Sequence, residues 1–139
     1  MATINVGEAY EVYFEENGSN YYLTANVSGS AAKAELRIGT GPTDPTQEWT
    51  QNSNNQWLST SGVYISGDNN LSDNLVLCNS TEPTDTSWLL DGDSTGASME
   101  VVSNGVASGT FLSTKTPNPK LGDSKKWKYN KNTLGSKGR

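Results

Sequence analysis

Hydrophobic and polar residues alternate near the start of the chain. Tyr10, Val12 and Phe14 occupy every second position, and a glutamate and a tyrosine lie between them. A period of two is typical of a β-strand with one buried face. The dipeptide Asn17-Gly18 follows, and this pair favours the tight turn of a β-hairpin. The N-terminal segment is therefore predicted to be a strand that turns back on itself.

Short apolar runs separated by polar turns continue along the chain, and each is predicted to be a strand. The proline-containing turn 41–45 ends one strand, because proline cannot donate to a strand ladder. Leu36 and Ile38 are expected to point inward. The predicted strands after the first lie at 21–27, 34–39, around Gln47 and Trp49, and at 56–60, 63–68, 74–79, 86–91, 98–102, 109–114 and 125–130. The segment TPNPKLGD near the C-terminus is either a long turn or a degenerate strand.

The stretch from Leu36 to Trp49 is nearly repeated from Leu75 to Trp88, 39 residues later. A further step of 39 residues reaches Trp127. Equal spacing of three tryptophans indicates one unit used three times. The length of 139 residues suits one domain. We predict a single domain, 1–139, with units of about 1–52, 53–92 and 93–132 and a basic tail at 131–139.

Only 32% of the residues are apolar, and Ser, Thr, Asn and Gly are abundant. This composition favours an all-β fold of many short strands. Three units of four strands, none of which can bury a face alone, are expected to close around a common axis. Each tryptophan of the repeat is expected to lie in the shared core. Trp57 falls outside the repeat and is expected at the surface.

One unit contains the tripeptide Gln47-Glu48-Trp49, whereas the other two keep only the tryptophan. With this motif and its repeat, the chain resembles the ricin B-type lectin family, whose β-trefoil units end in Gln-x-Trp. Its size, and the absence of disulfides and of a signal peptide, are similar to the small cytosolic lectins of fungal fruiting bodies. The resemblance implies an all-β trefoil with pseudo-threefold symmetry that binds carbohydrate.

Catalytic and metal-binding chemistry is strongly limited by the composition. The chain has no histidine and a single cysteine, Cys78. Ser-His-acid, Cys-His and zinc-histidine sites are therefore excluded. Asp91 and Asp93 could formally act as paired carboxylates, but acidic residues in a polar turn more often cap that turn. We predict no enzymatic activity, no metal and no cofactor.

The net charge of −5 hides an uneven distribution. Residues 1–114 hold 14 acidic residues against two basic ones, whereas residues 115–139 hold eight basic residues against one acidic one. Opposite charges attract, so a basic last strand and tail are expected to lie on an acidic body. An acidic body repels phosphates, and no nucleic-acid partner is predicted.

Short polar side chains suited to sugar hydroxyls are concentrated in GDNNLSDN, from Gly67 to Asn74. The resemblance places sugar binding near this loop. The resemblance also implies an aromatic residue about twelve positions before each motif tryptophan, where it would stack on the sugar, but Arg37 and Val76 occupy those places. Of the paired Asn-Gln before the tryptophan, only Gln47 is present. A site with other loop residues is predicted, and our candidates are Asp68, Asn69, Asn79 and Asp85.

The leading hypothesis is a carbohydrate-binding protein whose partners are glycans or glycoproteins. One alternative is a trefoil protein-interaction module without sugar binding, such as a protease inhibitor or a lectin-like subunit accompanying an oxidase. A third hypothesis is a polyanion binder that uses 125–139. No apolar run approaches the ~20 residues of a membrane span, and the N-terminus lacks the features of a signal peptide. Membrane insertion is not expected, and the predicted location is the cytoplasm.

Overall fold

The computed structural model describes residues 4–25, 34–39, 43–67, 77–79, 82–83, 86–115 and 118–131, with only the backbone at 77–79, 114–115 and 118–120. A 3-10 turn, Pro45–Gln47, precedes the fourth strand. The described residues form twelve strands: β1 Ala9–Glu16, β2 Ser19–Ala25, β3 Ala34–Ile38, β4 Trp49–Gln51, β5 Trp57–Ser59, β6 Tyr64–Ser66, β7 Leu77–Asn79, β8 Thr86–Asp93, β9 Gly96–Ser103, β10 Val106–Lys115, β11 Asn118–Gly122 and β12 Lys128–Lys131. Within this described part of the chain, no helix is long and apolar enough to cross a membrane.

Six of the strands form a closed ring. β1 pairs with both β4 and β12, β4 pairs with β5, and β8 pairs with β9, all antiparallel. The remaining two joints are made by backbone hydrogen bonds outside the paired strands. Trp88 N donates to Asn55 O at 2.8 Å beside β5, and Ala97 and Trp127 exchange two hydrogen bonds of 2.8 and 2.9 Å between β9 and the start of β12. Closure leaves the ring without a free edge.

The other six strands form three pairs that cover one end of the ring. These pairs are β2 with β3, β6 with β7, and β10 with β11. Each pair belongs to a different group of four consecutive strands. A six-stranded barrel with three such pairs is a β-trefoil, so the predicted fold class is confirmed.

The three repeated tryptophans perform the same structural task in each unit. All are buried, with at most 2% of their surface exposed. Each indole lies in the core and bonds to the first strand of the covering pair in its own unit. This hydrogen bond joins the barrel to the covering pair. The Nε1 hydrogen bonds run from Trp49 to Leu23 O (2.9 Å), from Trp88 to Ile65 O (3.2 Å) and from Trp127 to Leu112 O (3.1 Å).

The first strand follows its sequence pattern. Tyr10, Val12 and Phe14 are all buried in the core. The predicted hairpin turn is also present, since Asn17 and Gly18 both have positive φ angles, of 53° and 81°. Two positive φ values in succession are the geometry that an Asn-Gly pair adopts most easily. The chain between β1 and β2 therefore turns where the sequence predicts.

Two predictions about burial are wrong. Ile38, expected to point inward, is 57% exposed, because it is the last residue of β3 and lies beyond the core that covers Leu36. Trp57, expected at the surface, is only 1% exposed. It opens β5, a strand of the barrel, and its ring lies 5.7 Å from that of Tyr129 on β12. The repeat marks only one inward position of each unit, so a tryptophan outside it can still be in the core.

The ambiguous segment TPNPKLGD contains a strand. β11 pairs with β10, with Pro119 opposite Thr114 and Leu121 opposite Leu112. β11 is the outer strand of its four-stranded sheet, where the missing proline N–H does not break a ladder. The last unit therefore has four strands, like the others.

Trp57 and Tyr129 each bury a polar atom that finds no hydrogen-bond partner within the described residues. Burial raises the pKa of the Tyr129 hydroxyl far above its ordinary value. An unfolded tyrosine ionises near pH 10, whereas the folded hydroxyl stays neutral there. The stability that the neutral Tyr129 hydroxyl contributes is therefore fully present below pH 10 and is lost progressively as the pH rises above 10.

We expect Tyr129→Phe to change the free energy of unfolding at pH 7 by less than about 1 kcal/mol, because it removes an unsatisfied hydroxyl. The difference in the free energy of unfolding, variant minus wild type, should be up to about 1.4 kcal/mol larger at pH 11 than at pH 7. Urea unfolding at both pH values measures this difference. The same pH dependence in both proteins would contradict the assignment.

Candidate functional site

An open groove of about 610 Å³ lies where the second and third groups of strands meet. Three segments far apart in the sequence form it: the loop between β4 and β5, the segment that leads into β8, and the turn between β9 and β10. Its described lining residues are Asn54, Gln56, Glu82, Pro83, Thr86, Ser87, Val102, Asn104 and Gly105. The volume lies within the range of small-ligand sites.

The first wall is a loop wrapped around the side chain of Asn52. Its Oδ1 accepts hydrogen bonds from the backbone nitrogens of Asn54 at 2.9 Å and Gln56 at 3.0 Å. Its Nδ2 donates to Gln56 Oε1 at 2.9 Å. Asn55 completes the turn with a φ of 60°, a conformation that asparagine tolerates better than most residues. The loop therefore presents Asn54 on a fixed backbone.

The second wall is tied to the first through Gln56. This side chain is buried, and its Nε2 donates to the Pro83 carbonyl oxygen. Asn54 Nδ2 also donates to Glu82 Oε1, at 3.3 Å. Glu82 is exposed, so its carboxylate remains accessible to solvent. The two segments hold each other in place although 28 residues separate Asn54 from Glu82.

The third wall is a second Asn-Gly hairpin turn. Asn104 and Gly105 have φ angles of 51° and 79°, the same combination as at the first hairpin. The register places Ser103 opposite Thr86 and Val102 opposite Ser87, which sets the turn beside the start of β8. The Asn104 amide has no hydrogen-bond partner in the part of the chain that the structure describes. It is therefore free to bind a ligand in the groove.

The chemistry of the groove suits a ligand rich in hydroxyl groups. It offers a carboxylate at Glu82, amides at Asn54 and Asn104, and hydroxyls at Thr86 and Ser87. Carboxylates and amides together accept and donate hydrogen bonds to neighbouring hydroxyls. Pro83 and Val102 add apolar surface. The described lining contains neither a lysine nor an arginine, so the groove is unsuited to phosphate or sulfate.

The four candidate residues predicted from sequence lie outside what the structure describes in full. Asp68, Asn69 and Asp85 fall outside the described residues. Asn79 pairs through its backbone with Tyr64 as part of β7, and its side chain is not described. Asp85 directly precedes Thr86, a lining residue. The prediction of these four as a site stays a prediction.

The positions that the family resemblance singled out have structural roles in the first unit. Gln47 is 1% exposed, and its Nε2 donates to Thr24 Oγ1 at 3.0 Å and to Ile38 O at 3.2 Å. It links β2 and β3 to the turn before β4. Arg37, at the place of the stacking aromatic, bonds through Nε to Glu35 Oε1 at 2.8 Å. Neither side chain reaches the groove.

The acidic turn of LLDGDS is a capped turn, as predicted. Asp93 Oδ1 accepts hydrogen bonds from the Thr95 hydroxyl at 2.6 Å and from the Thr95 nitrogen at 2.9 Å. These bonds lower the pKa of the Asp93 carboxyl. Across the described ranges, no group of three acidic or cysteine side chains is placed to hold a metal ion.

The basic end of the chain contacts the acidic body, as predicted, up to the last described residue. Lys131 Nζ bonds to Glu8 Oε1 at 3.0 Å and, with the Asn5 amide, lowers the pKa of that carboxyl. Lys126 Nζ reaches the Asp91 carbonyl at 3.3 Å. Lys125 lies 4.5 Å from the centre of the Phe14 ring. These three lysines therefore contact β1, β8 and the residue before β1.

Comparison with known proteins shows the fold. No family model and no curated protein matches the sequence. The chain is similar in structure to the β-trefoil lectin of the Vibrio vulnificus hemolysin/cytolysin, solved with N-acetyl-D-lactosamine bound. The TM-score is 0.64 at 10% sequence identity, and the match covers 89% of this chain and 94% of the other. The fold is thus one on which a lectin is built.

Proposed function

We propose that this protein is a lectin that binds carbohydrate without catalysing a reaction, and that the groove between Asn54, Glu82 and Asn104 is its binding site. The observation that carries the proposal is the set of hydrogen-bonding side chains around the groove. Its partners would be glycans or glycoproteins. A relation to ricin B-type lectins of fungi is part of the same proposal and rests on the single Gln-x-Trp motif.

The binding mode follows from the geometry of the lining. The Glu82 carboxylate would accept hydrogen bonds from two adjacent sugar hydroxyls, and the Asn104 amide would bind a third on the opposite wall. Pro83 and Val102 would contact the apolar face of the ring. The described lining has no aromatic platform, so we expect a dissociation constant of about 1 mM for a single sugar unit.

The structural neighbour suggests the first ligand to test. That protein binds N-acetyl-D-lactosamine, a neutral disaccharide. A neutral disaccharide also fits a groove whose only described charge is the Glu82 carboxylate. A glycan array that includes N-acetyl-D-lactosamine would identify the preferred sugar. Lack of binding to every glycan on the array would remove the proposal.

Asn104→Gly tests the groove without disturbing the turn. Glycine tolerates the positive φ at this position, so only the amide group is lost. We expect at least a fivefold weaker affinity for the best neutral glycan, about 1 kcal/mol, because one hydrogen bond is removed. Titration followed by NMR measures the affinity.

Asn17→Gly is the matched control for that variant. Asn17 occupies the same position in the other Asn-Gly hairpin, outside the groove. We expect it to bind glycans as the wild type does, with a melting temperature close to that of Asn104→Gly. Equal affinities for Asn104→Gly and Asn17→Gly would place the glycan elsewhere on the protein.

The alternative is a trefoil module that binds another protein and no longer binds sugar. It is favoured by the ion-paired Arg37 at the stacking position and by the exposure of Leu89 and Val106, 48% and 67%. A stoichiometric protein partner that stays bound in excess free sugar would support it over the lectin.

A further inference from the structure

A second surface with binding chemistry lies on the outer face of the sheet that β12, β1, β2 and β3 form. Four side chains stand side by side across β12, β1, β2 and β3. Lys128 is opposite Tyr13, Tyr13 is opposite Tyr22, and Tyr22 is opposite Arg37. The residues that alternate with them in β1 and β12, namely Val12, Phe14 and Tyr129, are buried in the core. We call these four the tyrosine row.

The two tyrosines form an aromatic platform. Their ring centres are 5.2 Å apart and the ring planes differ by 31°, and both side chains are half-buried. The Tyr22 ring lies against Gly39, where a Cβ atom would come within 2.8 Å of the ring edge. Only glycine at position 39 leaves the ring where it is. Aromatic faces of this kind pack against the apolar face of a sugar ring.

The charges along the row are unequal. At one end, Arg37 forms an ion pair with Glu35. At the other end, Lys128 is exposed and has no ion pair or hydrogen bond to any described residue. Glu11, an acid on this face two residues before Tyr13, bonds to Asn130, which faces it across β1 and β12. Lys128 is therefore a cation beside an aromatic platform and is available to an anion.

We propose that the tyrosine row binds a sugar that carries a carboxylate, with its ring on Tyr13 and Tyr22 and its carboxylate on Lys128. The groove described above has the opposite preference, because its only described charge is the carboxylate of Glu82. The chain would then have two saccharide sites of different charge selectivity. This inference does not depend on binding in the groove.

Two sugars that differ only in the carboxylate test the proposal. Methyl β-D-glucuronide and methyl β-D-glucoside are titrated separately into the protein, and backbone amide shifts of Tyr13 and Tyr22 are followed by NMR. We expect the glucuronide to bind about threefold to fivefold more tightly, the range for an exposed ion pair. The preference should shrink when the salt concentration is raised from 0.1 to 0.5 M.

Two variants separate the contributions of charge and ring. Lys128→Gln should make the two sugars bind equally, whereas Lys126→Gln, an exposed lysine that bonds to Asp91, should keep the preference. Gly39→Ala should weaken the binding of both sugars, because it displaces the Tyr22 ring. Asn104→Gly should leave glucuronide binding unchanged, so failure of the groove is distinguishable from failure of the row.

Several outcomes would overturn the proposal. They are equal affinity of the wild type for the two sugars, no binding of the glucuronide, or an equal loss in the two lysine variants. Shifts that spare Tyr13 and Tyr22 would also contradict it.

Discussion

Trp88→Ala is expected to lower the free energy of unfolding by about 3–5 kcal/mol. The indole is 2% exposed and lies in the core, so its removal leaves a cavity that the barrel cannot fill. The change also removes the Nε1 donor from the buried Ile65 carbonyl. Trp49→Ala should have an effect of the same size, because its indole bonds to the Leu23 carbonyl in the same way. Urea unfolding followed by circular dichroism measures both.

Two further variants show which part of the indole matters. Trp88→Phe keeps a ring but leaves the Ile65 carbonyl without its donor, and should cost about 1–3 kcal/mol. Val106→Ala, at a site that is 67% exposed, should change stability by less than about 0.5 kcal/mol. If Trp88→Ala and Val106→Ala unfold at the same urea concentration, the tryptophan is not part of the core.

Gly92→Ala is expected to destabilise the protein by about 3 kcal/mol or more, because two effects add. The residue has a φ of 131°, which side-chain-bearing residues rarely adopt. A Cβ atom would also overlap the Gly96 carbonyl oxygen and lie 2.9 Å from the Ala97 Cα, both in the paired strand β9. Ala97 in turn holds Trp127 through two backbone bonds, so the strain would reach the joint between β9 and β12.

Gly18→Ala is the control for Gly92→Ala. Gly18 has a φ of 81°, but a Cβ atom there would meet no other atom within 4 Å. It should therefore carry only the conformational cost, about 1–2 kcal/mol. Chemical unfolding of both variants gives the difference. Equal destabilisation would show that contact with β9 adds nothing.

Much of the fold follows from local sequence patterns. The alternation in β1 determines which side chains enter the core, and Asn17-Gly18 determines the first hairpin. The 39-residue spacing identifies Trp49, Trp88 and Trp127, since each unit needs one large side chain to fill the same place between the barrel and the covering pair of strands.

Local patterns give the wrong burial or leave a strand unassigned where the tertiary structure around a segment determines the outcome. Ile38 continues the alternation of β3, but the strand ends beyond the core, so the residue is exposed. Trp57 lies outside the repeat, yet a barrel strand places it beside Tyr129. The strand β11 is obscured by its prolines, which an outer strand tolerates. In each case the deciding fact is the position of a strand relative to the others, which a single segment does not contain.

The groove could be predicted only in part. Its walls come from three segments that meet only after the ring closes, so their shared location cannot be read from any one of them. The Asn104-Gly105 turn is predictable from the sequence, because it is the same dipeptide as Asn17-Gly18. The predicted strand 109–114 begins three residues later than β10, and Asn104 is not among the predicted candidates. Thr86, which follows the predicted candidate Asp85, lines the groove, but Asp85 itself lies outside the described residues, so that candidate stays a prediction.

The most direct test of the account is a map of glycan contacts on the protein. Backbone amide shifts are recorded by NMR while the best neutral glycan from an array is added. We predict that the amides of Ser87, Asn104 and Gly105 shift in a saturable manner and that those of the Asn17-Gly18 turn do not. Shifts confined to residues outside the groove, or none with any saccharide, would contradict the assignment of the groove as a carbohydrate site.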